Sequence, residues 1–414
     1  METLHPHEIE LGLARVRAVQ QRMDLTNLPF PVITVGGTNG KGSTVTMLEA
    51  ILHAAGYKVA AYTSPHLLRY NERVRVGGDI ASDDDLCAAF ARVEAARGDT
   101  PLTYFEFGTL AAVDLMRTAN IDIAVLEVGL GGRLDAVNGW DADVAVVTSI
   151  GIDHTDWLGP DRESIGREKA GIFRARRCAV CGDPQPPASL LEVARTLGAE
   201  LYCVGRDFHF ERTPTSWNWH GPRGARRALP APALRGDYQL YNAASVLMAL
   251  ECLDARVPVT QAHVRDGLLG AVLPGRFQTL PGTPLRVLDV AHNAQAAQAL
   301  AHTLAAQAVS GRTYAVVGML KDKPIGDVFA ALLPQVDAWF LGGLSETARG
   351  APALQLQDAL RTLDTNVPAT TYTDIASAYA AALAHAHAQD RIVVFGSFYT
   401  VGAILRTLHS ETRA

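Results

Sequence analysis

Apolar residues in the first half of the chain come in short Val-, Ile-, Ala- and Leu-rich runs, at 31–36, 58–62, 121–128 and 144–150, instead of alternating with polar ones. Runs of that kind belong to strands buried on both faces, as in a parallel sheet. Between the first two lies 43–55, a helix-favouring stretch that stops at Gly56, and strand, helix, strand is the βαβ unit. Residues 206–233 change character: Phe208, Phe210, Trp217 and Trp219 alternate with polar residues before Gly and Pro accumulate. That pattern predicts an antiparallel hairpin and a loop. A helix is expected over 241–253. From Leu285 the alternation of strand and helix restarts, with strands expected over 285–290, 313–320, 336–341 and 391–397 and alanine-rich helices between them. The interrupted stretch 273–278 is the natural boundary. The prediction is therefore an α/β protein of two domains: a mostly parallel sheet in 1–274 and a smaller, Rossmann-like α/β domain in 275–414.

Length and composition agree with two cores, since 414 residues at 48% hydrophobic exceed one ordinary domain. Lys and Arg number 37 against 43 Asp and Glu, a formal charge of −6, so no global field gathers nucleic acid or an anionic membrane. An anionic substrate must be held by local groups. The first residues, METLHPHEIELGLARVR, carry charges every few positions, and no stretch approaches the ~18 apolar residues of a membrane span. A cytoplasmic protein is expected. The five cysteines are odd in number and scattered, which fits a reducing compartment. Cys178 and Cys181 match C-x-x-C, but no second pair stands at zinc spacing, and a buried strand is the simpler expectation there.

The strongest local signal is VGGTNGKGST, from Val35 to Thr44, between an expected strand and an expected helix. Glycines let backbone N–H groups approach phosphate oxygens, the helix N-terminus adds positive potential, and Lys41 adds a point charge. The stretch is a P-loop-type turn that departs twice from G-x-x-x-x-G-K-[ST]: Val35 stands at the first glycine position, and Gly42 follows Lys41. The glycines at 129, 131 and 132 do not complete a dinucleotide fingerprint and read as a tight turn. Ser64, Glu127 and His154 each fall where an expected strand ends, the edge at which such sheets place active sites. Together they could form a Mg²⁺ shell; singly, a turn, a helix cap and a loop histidine are the simpler readings.

Nine segments then carry a resemblance: GTNGKGST from Gly37, TSPHLLRYNERVRV from Thr63, LTYFEFGT from Leu102, LEVGLGGRLDAVN from Leu126, TSIGIDHTDWLG from Thr148, REKAGIF from Arg167, LPGRFQ from Leu273, DVAHN from Asp289 and VFGSF from Val394. In this order, over about residues 9–401, they resemble the bifunctional dihydrofolate synthase/folylpolyglutamate synthase family of the ATP-dependent Mur ligase superfamily. The resemblance implies that Gly40, Lys41, Gly42 and Ser43 hold the ATP phosphates, and that Asn242, Arg276, Asp289 and His292 contact ATP. It assigns Ser64, Glu127 and His154 to Mg²⁺, with Glu127 shared by two ions, and makes Lys169 a carbamylated lysine near the metal. Lys41, Glu127, His154 and Lys169 are the implied catalytic set, with His154 a ligand and not a base. For dihydropteroate the implied positions are Glu10, Leu11 and Gly12; Thr103, Tyr104, Phe105 and Glu106; and Leu134, Asp135 and Ala136. Phe105 would stack on the flat heterocycle while Asp135 accepts its N–H groups.

The implied activity joins L-glutamate to 7,8-dihydropteroate and then to tetrahydrofolates, through an acyl phosphate, with release of ADP and phosphate. The expected partners are these small molecules, ATP and Mg²⁺, with no nucleic acid and no membrane, and the chain is expected to act as a monomer whose smaller domain also meets ATP and glutamate. Four rivals remain, of which an interaction protein with a degenerate nucleotide site is opposed by the intact set of Lys41, Glu127, His154 and Arg276. A monofunctional folylpolyglutamate synthase would lack the dihydropteroate step, and a cell-wall ligase of the same superfamily would need a uridine-nucleotide site. A P-loop switch or kinase should show the strict loop and would not need the second domain.

Overall fold

The computed structural model describes residues 10–411, which divide into two compact units. Among the described residues the first comprises 10–233 and 238–272, and the second 273–411 with the short segment 234–237. Every candidate site residue, from Glu10 to His292, lies within the described range.

The first unit is built on eight strands: β1 (Val32–Gly36), β2 (Val59–Tyr62), β3 (Val74–Val76), β4 (Asp79–Ile80), β5 (Ile123–Glu127), β6 (Val144–Val147), β7 (Cys178–Cys181) and β8 (Glu200–Cys203). Their order is β4-β3-β2-β5-β1-β6-β7-β8, parallel from β2 to β8, with β3 and β4 antiparallel at one edge. Every residue of β1, β2, β5 and β6 is buried, which is why these strands lack alternation. Strand β6 ends at Val147, earlier than the expected end at Ile150, because Thr148 and Ser149 turn to bond the loop after β1. The helix after β1 is Lys41–Ala54, and Gly56, at φ +88, lets the chain leave it.

The aromatic segment forms three strands where one hairpin was expected: β9 (His209–Arg212), β10 (Trp217–Gly221) and β11 (Gly224–Leu229), all antiparallel. Gly221 pairs with Gly224, and this second reversal adds the third strand. Trp217 and Trp219 are 1% exposed, and Trp219 Nε1 donates to the Ala244 carbonyl of the helix Tyr238–Leu253. Truncating either ring to alanine would cost ~3–5 kcal/mol. That helix begins three residues ahead of the expected start, and so contains Gln239.

The second unit has strands β12 (Gln278–Leu280), β13 (Leu285–Leu288), β14 (Thr313–Val317), β15 (Ala338–Gly342), β16 (Ala369–Tyr372) and β17 (Arg391–Phe395) in the order β12-β13-β17-β14-β15-β16. All neighbours are parallel except β12 with β13. Each unit has its own apolar core: Ile172, Phe173 and Trp140 are among the members of the first, Phe329, Trp339 and Phe395 of the second. No helix among the described residues is long and apolar enough to cross a membrane.

Candidate active site

Strands β2, β5, β1, β6 and β7 are parallel and adjacent in that order, so the segments following them emerge along one edge of the sheet. Ser64 follows β2, Glu127 closes β5, the glycine loop follows β1, and His154 lies beyond β6. The glycine loop is braced from the β6 side. Thr38 N donates to the Ser149 carbonyl at 2.7 Å, Thr38 Oγ1 to the Gly151 carbonyl at 3.1 Å, and Thr148 Oγ1 to the Asn39 carbonyl at 2.6 Å. Gly40 caps the helix at φ +89, and a Cβ there would stand 2.5 Å from Asn242 Oδ1. No side chain caps this helix, so its first-turn N–H groups face the loop's concavity, where an anion is favoured. Lys41 Nζ lies on the carbonyls of Gly37 and Thr38, at 3.1 and 3.2 Å. Gly42 is half-buried and Ser43 fully buried.

Asn242 belongs to this same unit and reaches the loop through a residue that sequence reasoning missed: Asn242 Nδ2 donates to Gln239 Oε1 at 2.9 Å, and Gln239 Nε2 to Ser43 Oγ at 3.2 Å. Local pattern puts Gln239 ahead of its helix, and nothing short of the fold connects it to Ser43.

Glu127 is 4% exposed, and its Oε2 accepts from Ser64 N at 3.2 Å, so these two candidate ligands are neighbours. His154 sits in the left-handed region at φ +53, opening the short helix Thr155–Leu158, with Nε2 3.9 Å from Asp153 Oδ1. Lys169, on the helix Arg162–Ala170, is 4% exposed. Burial, followed by the charge of Lys41, pushes its ammonium down to about 7, while Asp153 and Asp135 pull the other way.

The segments implied for the pterin converge. Gly12 N donates to the Leu134 carbonyl at 3.2 Å, bringing Leu11 and Gly12 beside the turn that opens Ala136–Gly139. The Phe105 ring packs against Gly129, where a Cβ would be 2.5 Å from Phe105 Cζ. Asp135 is buried and accepts from Leu130 N at 2.8 Å and Val137 N at 2.9 Å; burial raises its carboxyl to about 6 against those bonds. Glu106 is held in place by the protein's own groups. It caps Thr103 N at 2.8 Å and takes Arg15 Nε at 3.1 Å and Nη2 at 2.9 Å, while Arg15 Nη1 reaches Glu10 at 2.5 Å. Arg15 thus organises both glutamates, and sequence reasoning missed it. Tyr104 packs edge-on against Tyr70, ring centres 5.8 Å apart.

In the second unit Asp289 is buried, accepting from Phe277 N and Ala291 N at 2.8 Å each, and burial raises its carboxyl against the charge of Arg276. The Arg276 guanidinium lies 5.0 Å over the ring of Phe398, and the His292 ring is 6.3 Å from the same ring. Arg276 and His292 therefore meet at Phe398, with Asp289 near enough to interact with Arg276. A separate cavity of about 710 Å³ opens where β15 and β16 end, lined by Lys321, Ser345, Thr347 and Thr373 among others.

Two family models match the chain: the Mur ligase middle domain over residues 35–185 and the Mur ligase glutamate ligase domain over 275–398. A curated Escherichia coli dihydrofolate synthase/folylpolyglutamate synthase is 47% identical over 412 residues, covering 99% of this chain and 94% of that one. This chain belongs to that family. Among solved structures, E. coli FolC in complex with DHPP and ADP is 46% identical with a TM-score of 0.94, covering 99% of this chain and 96% of that chain. A bifunctional folylpolyglutamate synthase/dihydrofolate synthase with Mn, AMPPNP and L-glutamate bound is 47% identical with a TM-score of 0.91, covering 99% and 96%. The expected α/β architecture, a mostly parallel first sheet and a smaller second α/β unit, is that of the dihydrofolate synthase/folylpolyglutamate synthases.

Proposed function

We propose that this chain is an ATP- and Mg²⁺-dependent ligase that adds L-glutamate to 7,8-dihydropteroate and further γ-linked glutamates to tetrahydrofolates, working as a cytoplasmic monomer. One observation carries it: within the first unit, a phosphate-type loop and an aromatic, carboxylate-lined cluster stand together in a chain that matches bifunctional relatives over almost its full length. Its five cysteines, all free, accord with a reducing compartment.

A free carboxylate is a poor acylating agent because its oxygen leaves badly, so the γ-phosphoryl of ATP is transferred to it first. Gly40, Lys41, Gly42 and Ser43 would hold the phosphates through helix N–H groups and the ammonium. Ser64 and Glu127 supply oxygen donors suited to a hard divalent cation, and their adjacency fits one; His154 adds a nitrogen donor. When bound, Mg²⁺ supplies charge compensation on the phosphoryl oxygens. Phe105 and Asp135 would orient the pterin, so that its carboxylate lies in line with the phosphoryl group. The glutamate amine then attacks the acyl carbon, and the tetrahedral intermediate collapses to amide and phosphate. In the second unit, Arg276, Asp289 and His292 are proposed to contact ATP, and Lys321 to take a glutamate carboxylate. Lys169 is proposed to carry a carbamate: its neutral amine bonds to CO₂ and releases a proton, leaving an anion where Lys41 disfavours a cation.

A monofunctional folylpolyglutamate synthase is the second reading. The deciding assay supplies ATP, Mg²⁺ and glutamate with dihydropteroate in one vessel and tetrahydrofolate in another, and weighs the products. Both gain glutamate if the chain is bifunctional, and only tetrahydrofolate does if it is monofunctional. No amide and no ADP in either vessel would end the ligase assignment.

A further inference from the structure

Outside the ligase machinery, the outward face of the three-stranded sheet carries a second constellation of donor atoms. Strands β9 and β10 pair His209 with His220, Phe210 with Trp219, Glu211 with Asn218 and Arg212 with Trp217. Because side chains alternate, the faces separate cleanly. Phe210, Trp217 and Trp219 turn inward, the first against Tyr241 and the last bonded to Ala244, both on the helix Tyr238–Leu253. His209, Glu211 and His220 share the opposite face.

There the two imidazoles stack, ring centres 4.7 Å apart and planes 6° from parallel. Both present Nε2 to the Glu211 carboxylate, His209 at 4.0 Å and His220 at 3.7 Å, too far for hydrogen bonds. One ligand atom from each of the three lies within 4.8 Å of the others. His220 Nε2 is buried from solvent with no hydrogen-bond partner. An orphaned buried nitrogen aimed at a carboxylate asks for an occupant.

We propose that His209, Glu211 and His220 bind a divalent transition-metal ion of the zinc class. At tetrahedral angles, bonds of ~2.0–2.1 Å set ligand atoms ~3.3–3.4 Å apart, so atoms within 4.8 Å of one another need to close by up to about 1.4 Å, within the reach of side-chain rotation. Two imidazoles and one carboxylate suit zinc, nickel or copper, whereas the hard cation of the ligase site prefers oxygen. The fourth position is left to water. The side chains of His209 and Glu211 are more than half exposed, so an ion enters from solvent without unfolding the sheet. Bound metal would tie β9 to β10 across the pair His209 and His220.

The test uses the full-length chain without a histidine tag, stripped with chelator and titrated calorimetrically with Zn²⁺ in excess Mg²⁺. One equivalent of Zn²⁺ should bind despite the Mg²⁺. Glu211→Gln should raise Kd by about tenfold or more, and His209→Gln with His220→Gln together should abolish binding. Because none of the three belongs to the ligase machinery, Mg²⁺-dependent activity measured without zinc certifies that each variant is folded. Co²⁺ substitution adds a readout, since visible absorption of a nitrogen-ligated ion should appear in the wild type and vanish in the double variant. Failure of the stripped chain to take up one equivalent, or equal Zn²⁺ affinity in wild type and an active double variant, overturns the proposal.

Discussion

Lys169→Met tests the electrostatics of the candidate site directly. The native lysine is 4% exposed, and burial with the nearby charge of Lys41 lowers it from its ordinary 10.5 to about 7. An amine whose folded value lies below its unfolded value is bound less readily by protons in the native state. Between about pH 7 and about pH 10.5 the unfolded chain holds the extra proton, so this group makes stability rise with pH across that window. Below about pH 7 both states are protonated and the full penalty remains. At about 1.4 kcal/mol per unit, keeping an unmodified ammonium in this site costs roughly 5 kcal/mol at low pH. Methionine has similar length and no charge. Denaturant unfolding in CO₂-free buffer should therefore find Lys169→Met more stable than wild type by several kcal/mol near pH 6, with the gap closing as pH rises toward 9. Under bicarbonate, wild-type protein should gain the mass of a carbamate and the variant should not. Ligase turnover should fall by at least about a hundredfold in the variant, in keeping with loss of a preorganised charge at the site. A stability difference that is flat with pH would refute the buried-amine origin of the effect, and an unmodified wild-type lysine with full activity in CO₂-free buffer would refute the carbamate.

Gly40→Ala should leave global stability within about 2 kcal/mol, because the clash falls on the end of the Asn242 side chain, which can shift, yet raise KM for ATP by about tenfold or more: the new Cβ meets Asn242 Oδ1 at 2.5 Å and the φ of +89 is strained. Steady-state kinetics with varied ATP reads it. Arg15→Ala strips the partner from Glu106, which is 3% exposed, and should destabilise the fold by about 3 kcal/mol in urea unfolding while raising KM for dihydropteroate. Lys321→Ala, at the rim of the cavity beside β15 and β16, should raise KM for glutamate and leave KM for ATP unchanged, separating the two in a single assay series.

The parts of the fold legible from sequence are those whose environment is uniform. Strands β1, β2, β5 and β6 announce themselves because each is buried on both faces. The short edge strands β3 and β4 carry half-buried and exposed residues, and no apolar run marks them. The end of β6 is expected at Ile150 although Thr148 and Ser149 interrupt the apolar run after Val147; what fixes it is Thr148 binding the Asn39 carbonyl, a contact 109 residues distant. The glycine loop is visible locally, since glycine spacing and Lys41 are contiguous. Arg15 and Gln239 are not, because what defines them is a partner 91 and 196 residues away.

Local and long-range signals meet in the way a chain of net charge −6 can hold a triphosphate. The overall field opposes a polyanion, and at physiological ionic strength it is screened beyond ~8 Å, so attraction must be assembled at contact distance. The helix N-terminus at Gly40 supplies directed N–H groups, and Lys41 is held on the carbonyls of Gly37 and Thr38 beside them. The loop that carries those carbonyls is braced by Thr38 on the Gly151 carbonyl and by Thr148 and Ser149 on the Asn39 carbonyl, and Ser43 is held by Gln239. The buried face of the loop thus commits its polar groups to rigidity. Its donors are oriented when the chain folds, so little reorganisation is left to oppose the phosphoryl group as it moves.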